Sequence, residues 1–306
     1  MTTKELKMAK ILVTGASGLL GTEICRQLKS SKLEYNEVWA VDNHSRSSTI
    51  PPCDQFLTID LNYQNAIAQL PRDFDYIYHY GAINGTKNFY ERPNQVLSNN
   101  FVCDLNMFEY ASIITNLKKI VYASSSEIVS DDPVSPVPEH ADITIRDIHN
   151  ARWSYRLAKV CSENYLANSK LPYVMLRYFN VYGENSKAGH FLADQIAKIK
   201  QGKFECFGAN ETRSFCHVED AIRASIHCAE TQTRELVNIG NDREITIMDA
   251  SQIIASALGH DNPAWTTTPG VPGSTASRRP DISKLRSIIP DYTPMSFESG
   301  VQKSIG

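Results

Sequence analysis

Short apolar runs alternate with amphipathic stretches through the first half of the chain, the pattern of a parallel sheet flanked by helices. Six runs read as strands: KILVTG (10–15), EVWAVD (37–42), QFLTID (55–60), DYIYHYGA (75–82), KIVYAS (119–124) and YVMLRYF (173–179). Residues 18–30, 94–115 and 153–169 between them carry helical periodicity. Parallel strands need crossovers of this length, so the succession predicts a doubly wound α/β sheet. After about residue 180 the rhythm breaks, glycine, proline and aromatics become more frequent, and WTTTPGVPGSTASRRP (265–280) reads as a long loop. The expected organisation is a sheet domain over 1–178 and a smaller α/β lobe over 179–306, with segments exchanged between them around 210–240.

Composition narrows the partners. With 42% hydrophobic and 21% charged residues in 306, the chain has an ordinary globular balance and enough length for a large core. A net charge of −3 gives no general attraction to nucleic acid or to an anionic membrane, so an anionic ligand must be held by a few local cations. The seven cysteines are scattered and include no CxxC pair, which argues for a reducing compartment and against disulfides or zinc. Neither HExxH nor paired histidines appear, so no metal is expected. The opening MTTKELKMAK lacks a signal-peptide core and no run is long enough to span a bilayer; the expected location is cytoplasmic.

The first strand runs into TGASGLLG, with Gly15, Gly18 and Gly21. Glycines there permit a tight turn and close approach of backbone to a pyrophosphate seated on a helix N-terminus. Asp42 ends the second strand, where an acid can bind the ribose hydroxyls of adenosine. Its carboxylate would repel a 2′-phosphate and so favours NAD over NADP, while Arg46 pulls the other way. Tyr155 and Lys159, in WSYRLAKV, are four apart and share a helix face. A lysine beside a phenol stabilises the phenolate and makes a general base accessible nearer neutrality.

The glycine turn, Asp42, YHYGA, ASSSE, YxxxK and RYFNVYG occur in this order. Together they resemble the extended short-chain dehydrogenase/reductase family, and within it the NAD-dependent nucleotide-sugar epimerases and dehydratases, from Lys10 to about Lys284. The resemblance implies a Rossmann sheet that binds NAD and a C-terminal lobe that binds a nucleotide-diphosphate sugar. It implies cofactor contacts at Gly15, Gly18, Leu19, Leu20 and Gly21, then at Asp42, Asn43, Asp60 and Leu61. Further contacts are implied at Gly81, Ala82, Asn99, Ser124 and Phe179, with Tyr155 and Lys159 as the catalytic pair. Ser125 aligns with the serine or threonine that hydrogen-bonds the sugar 4-hydroxyl, Ser126 is the second choice, and Glu127 follows as a further candidate catalytic group. Asn180, Phe191 and Leu192 match the substrate side, and Arg213 and Arg278 match arginines that grip the diphosphate, for which a planar guanidinium fork is suited. The helices 94–115 and 153–169 resemble the pair that forms a four-helix bundle in family homodimers; Phe101, Leu105 and Phe108 are either on that outward face or in the core.

Three departures bear on the substrate: IVS (128–130) replaces VYG, HYGA (79–82) replaces HxAA, and NFVCD (100–104) replaces NVxGT. The shared first step is removal of the sugar 4-hydroxyl proton by Tyr155 as NAD takes the hydride. From the 4-keto sugar, return of hydride to the other face gives a 4-epimerase. Loss of water from C6 after a carboxylate takes the C5 proton gives a 4,6-dehydratase, and loss of carbon dioxide gives a uronate decarboxylase. RYFNVYG resembles the UDP-sugar epimerases more than the dTDP-sugar dehydratases, which places 4-epimerisation first. A non-catalytic NAD-binding regulator on the same fold would typically lose the tyrosine or lysine, and an NADPH-dependent reductase of a ketosugar conflicts with Asp42.

Overall fold

Each apolar run of the first half becomes a strand: β1 (Lys10–Thr14), β2 (Glu37–Asp42), β3 (Gln55–Thr58), β4 (Tyr76–His79), β5 (Lys119–Ser125) and β6 (Tyr173–Tyr178). The structure, a computed structural model, describes residues 9–30, 37–129, 135–145, 147–270 and 277–305. A seventh strand, Glu235–Ile239, arrives from the second half of the chain and pairs with β6. Across the sheet the order is Glu235–Ile239, β6, β5, β4, β1, β2, β3, and every pairing is parallel. The chain works outward from β1 to β3 and then restarts at β4 on the other side of β1. The crossovers therefore diverge at the carboxyl ends of β1 and β4, and a crevice opens there.

Alternation along the strands feeds two cores. Ile11 and Val13 join Ile24, Ala221, Ile222 and Cys228 on one face. Leu12 points the other way, into a cluster with Ile77, Met107, Phe108, Tyr122 and Leu166. The first face is covered by the helices Leu19–Leu28 and Val218–Thr231, the second by Pro93–Ser112 and Trp153–Asn168. Phe108 is core, edge-on to Tyr122 and stacked on Tyr165. A third core, with Tyr182, Leu192, Phe215, Ile254 and Phe297, lies outside the sheet and is built by later segments.

The stretch read as one loop from 265 to 280 contains a strand, Thr266–Thr268, which pairs with Glu205–Phe207. Three successive threonines carry enough β-branched preference to outweigh the prolines and glycines that follow. Residues 271–276 of that stretch lie outside the described residues. Among the described residues no helix is long and apolar enough to cross a membrane.

Candidate active site

Two positions around the turn after β1, Gly15 and Gly21, have room for nothing larger than glycine. Gly15 has φ +64, and a Cβ there would meet the Tyr80 carbonyl at 2.6 Å; a Cβ on Gly21 would lie 2.2 Å from the Gly15 oxygen. Asp42 closes the turn from β2: its carboxylate accepts the Ser17 amide at 3.0 Å and the His44 amide at 2.7 Å. Gly15, Gly18 and Leu19 line a cleft with Asp42 and Asn43, and Asp60, Leu61, Gly81, Ala82 and Asn99 complete its walls. A carboxylate at the end of β2, facing a glycine turn that opens a helix, fits an adenosine ribose and pyrophosphate. Arg46 lies in the same cleft and donates to the Ala188 carbonyl at 3.4 Å.

A second cleft adjoins the first, since both are lined by Gly15, Leu19, Tyr80 and Ala82. Leu20 and Gly21 form part of its wall. Because β5 ends at Ser125, Ser124, Ser125 and Ser126 all fall at the carboxyl end of the sheet and line this cleft. Ser125 Oγ accepts the Glu127 amide at 3.1 Å. Ser124 Oγ is buried and has no partner among the described residues, an unusual state for a hydroxyl and one a ligand would relieve.

Tyr155 and Lys159 reach the same cleft from one face of the Trp153–Asn168 helix. Phe89 stacks on the Tyr155 ring, with centroids 5.0 Å apart and planes at 18°. Burial pushes the Tyr155 phenol above its ordinary value, Lys159 pulls it down, and Asp104 pushes it back up. The net direction is upward, opposite to what the lysine alone leads one to expect from sequence. The main reason is burial; Asp104, whose carboxylate takes the Lys159 ammonium at 3.3 Å, adds to it by offsetting part of the lysine's field.

At the far end, Glu127 sits between two guanidinium groups. Arg152 Nη2 lies 3.0 Å from both carboxylate oxygens, and Arg278 Nη1 donates to one of them. Burial opposes ionisation, but Arg278 and Arg152 together hold the Glu127 carboxyl down at about 2. Arg278 is almost wholly buried, and its Nε and Nη2 have no partner among the described residues. Arg213 lines the cleft beside them and donates to Glu211 at 2.8 Å. Asn180 turns the chain with φ +41, a left-handed conformation that asparagine tolerates, and its amide donates to the Ser214 carbonyl. Phe191 and Leu192 enter from the start of the Phe191–Lys200 helix.

Phe179 is the exception among the residues expected at the cofactor. It is fully buried in a cluster with Ile128, Val129 and Val137, and it lines neither cleft. Side chains alternate at the end of β6, so Tyr178 faces the cleft and Phe179 faces away, and the left-handed turn at Asn180 brings the chain back to the cleft. The structure adds Arg152, Phe89 and Asp104, which the sequence reading does not place in the site. The available signals are an arginine one helical turn before Tyr155 and an acid on the buried face of Pro93–Ser112, beside Cys103 and Met107.

Comparison with known proteins agrees with this architecture. The UDP-N-acetyl-alpha-D-glucosaminuronate decarboxylase of Bacillus cytotoxicus is 26% identical, over 97% of this chain and 96% of the relative. The UDP-glucose 4-epimerase of Thermotoga maritima, solved with UDP-glucose, superimposes with a TM-score of 0.85 at 23% identity, covering 97% of each chain. The UDP-glucuronic acid 4-epimerase of Bacillus cereus, solved with UDP-glucuronic acid and NAD, gives 0.83 at 24% identity, over 97% of this chain and 98% of that one. The model of the NAD dependent epimerase/dehydratase family matches residues 11–240. The cofactor of this family is NAD, and the Asp42 carboxylate at the end of β2 is compatible with it. With its glycine turn, serine-ended strand and Tyr155–Lys159 pair accounted for, the chain belongs to the NAD-dependent epimerase/dehydratase family.

Proposed function

We propose that the chain oxidises a UDP-uronate transiently at C4 and decarboxylates the resulting β-keto acid. The observation that carries this reading is Arg152, a guanidinium at the sugar end of the cleft in addition to the Arg213 and Arg278 pair matched to the diphosphate. Its partner Glu127 is ionised and held at about 2, a poor base for a C5 proton, which argues against a 4,6-dehydratase. A uronate carboxylate brought to Arg152 competes with Glu127 for the cation and meets a negative charge beside it. That repulsion is relieved when carbon dioxide leaves.

NAD supplies the oxidising and reducing equivalent for C4. Tyr155 takes the proton of the 4-hydroxyl, Ser125 hydrogen-bonds the same oxygen, and Lys159 steadies the phenolate. In the 4-keto sugar the C5–carboxylate bond breaks, its electron pair enters the ketone as an enolate, and C5 is then protonated. Phe89 packs its ring on that of Tyr155 in the cleft. The second reading, a UDP-sugar 4-epimerase that retains its carbon skeleton, rests on RYFNVYG and needs no group beyond the same serine, tyrosine and lysine. We place NAD on residues 1–178 and the nucleotide sugar on 179–306. We place a homodimer interface on the Pro93–Ser112 and Trp153–Asn168 helices, where Leu97, Val102 and Tyr165 are exposed.

The test is incubation with UDP-glucuronate, UDP-N-acetylglucosaminuronate, UDP-glucose and their GDP and dTDP counterparts, with products read by NMR and carbon dioxide measured. Carbon dioxide and a UDP-pentose from a uronate are expected. Interconversion of neutral UDP-hexoses with no turnover of uronates overturns the decarboxylase reading.

A further inference from the structure

Behind Tyr155 and Lys159 lies a buried polar cluster that removal of a hydroxyl proton does not require. Asp104, on the Pro93–Ser112 helix, is wholly inaccessible to solvent. One carboxylate oxygen accepts the Tyr122 hydroxyl at 2.5 Å and the Lys159 ammonium at 3.3 Å. The other lies 2.9 Å from His79 Nε2, and His79 Nδ1 lies 2.6 Å from Thr14 Oγ1. With Nε2 donating to the carboxylate, Nδ1 accepts the Thr14 hydroxyl, which in turn accepts the Gly81 amide at 3.4 Å. One acid thereby ties the lysine to β1, β4 and β5. Its position is that of the threonine in the NVxGT pattern, so this chain places a charge where the pattern has a hydroxyl.

An isolated buried carboxylate is too costly to persist, and each of these neighbours offsets part of that cost. The groups facing Tyr155 and Lys159 are Asp104 and Cys103 from Pro93–Ser112, Tyr122 and Ser125 from β5, Glu127 beyond it, and Arg46 from the loop after β2. Among the described residues Asp104 alone forms an ion pair with the lysine. A lysine with no counter-charge pulls a neighbouring phenol toward phenolate; a carboxylate on the lysine's far side cancels much of that pull.

We propose that Asp104 is a positioning residue that, acting through Lys159, sets how firmly Tyr155 holds its proton. The inference rests on the reading of Tyr155 as the base. In the resting protein Asp104 adds to burial in strengthening the hold of Tyr155 on its proton, and it pairs with the lysine under the cleft.

The test is a spectrophotometric titration of phenolate in the full-length protein, with the signal of Tyr155 isolated by subtracting a Tyr155→Phe partner, since the chain has 14 tyrosines. Asp104→Asn removes the charge and keeps the shape, and its signal is compared with that of Asp104→Asn/Tyr155→Phe. The Tyr155 midpoint is expected to fall by about one pH unit or more, roughly a tenfold gain in phenolate at a given pH, with the acid limb of kcat/KM moving the same way. Should Asp104→Asn not fold, Asp104→Thr restores the residue of the family pattern and tests the same charge. A folded variant whose midpoint stays at the wild-type value overturns the inference, whatever it does to thermal stability. If Tyr155→Phe is inactive and the midpoint does not move, this inference alone fails; if Tyr155→Phe retains turnover, the reading of the base fails with it.

Discussion

Glu127→Gln takes one negative charge from between Arg152 and Arg278 and keeps the length of the side chain. The wild-type carboxyl is held at about 2 against an ordinary 4.5, since the two arginines outweigh the burial that opposes its charge. A depression of roughly 2.5 units corresponds to about 3 kcal/mol of stability carried by the ionised form. That contribution is fully present above pH 4.5 and is lost as the pH falls toward 2, because the unfolded chain takes up its proton first. Glutamine still accepts one guanidinium N–H, so the expected loss at pH 7 is smaller, about 2 kcal/mol or a fall of roughly 3 °C in Tm. Circular dichroism melts of both proteins from pH 7 to pH 3 measure it, and the gap between them should close as the pH is lowered. With the carboxylate gone, both guanidiniums open to added anions, so UDP should raise the Tm of the variant more than that of the wild type. Equal melting temperatures at pH 7 would refute the coupling, and equal stabilisation by UDP would refute the claim that Glu127 occupies the anion site.

The other expectations concern chemistry, cofactor and assembly. Tyr155→Phe keeps the stack on Phe89 and should bind NAD normally while turnover falls by about 10²–10⁴-fold, the usual contribution of a general acid or base; near-normal turnover of the true substrate rules the mechanism out. Asp42→Ala, with Arg46 retained, should narrow the preference for NAD over NADP in a fluorescence titration, and wild-type protein that binds NADP at least as tightly as NAD would remove the assigned role. Light scattering at micromolar concentration should report a dimer, and Leu97→Asp should shift it toward monomer without loss of helix signal; a wild-type monomer contradicts the proposed interface.

Much of this was legible in the sequence because the responsible forces are local. The six early strands were readable from their apolar runs, and the glycine turn with Asp42 from spacing, since backbone crowding and one carboxylate suffice to define it. The strand Glu235–Ile239 was less legible: its pairing with β6 is decided by packing that brings the chain back across the sheet. Phe179, expected at the cofactor, turns its side chain into the core, since a motif names neighbours without saying which way alternate side chains point. Arg152 and Asp104 were missed for another reason. Each acquires its meaning from a partner far away in the chain, Glu127 for one and Lys159 for the other, and no periodicity records such a pair.

The late arrival of Glu235–Ile239 at the sheet also bears on how the molecule folds. The chain leaves at Tyr178 and returns at Glu235, so the outer edge of the sheet cannot form until the intervening excursion has closed. Joining the ends of a flexible segment of that length costs on the order of 3–4 kcal/mol, which is recovered only as Val218–Thr231 docks against Leu19–Leu28. On this topology we expect neither half of the molecule to be a self-sufficient folding unit. The sheet lacks its edge without the excursion, and the excursion lacks its anchor without the sheet, so the two are expected to melt in one transition, and a protease cut inside the excursion should dismantle both rather than release an intact half.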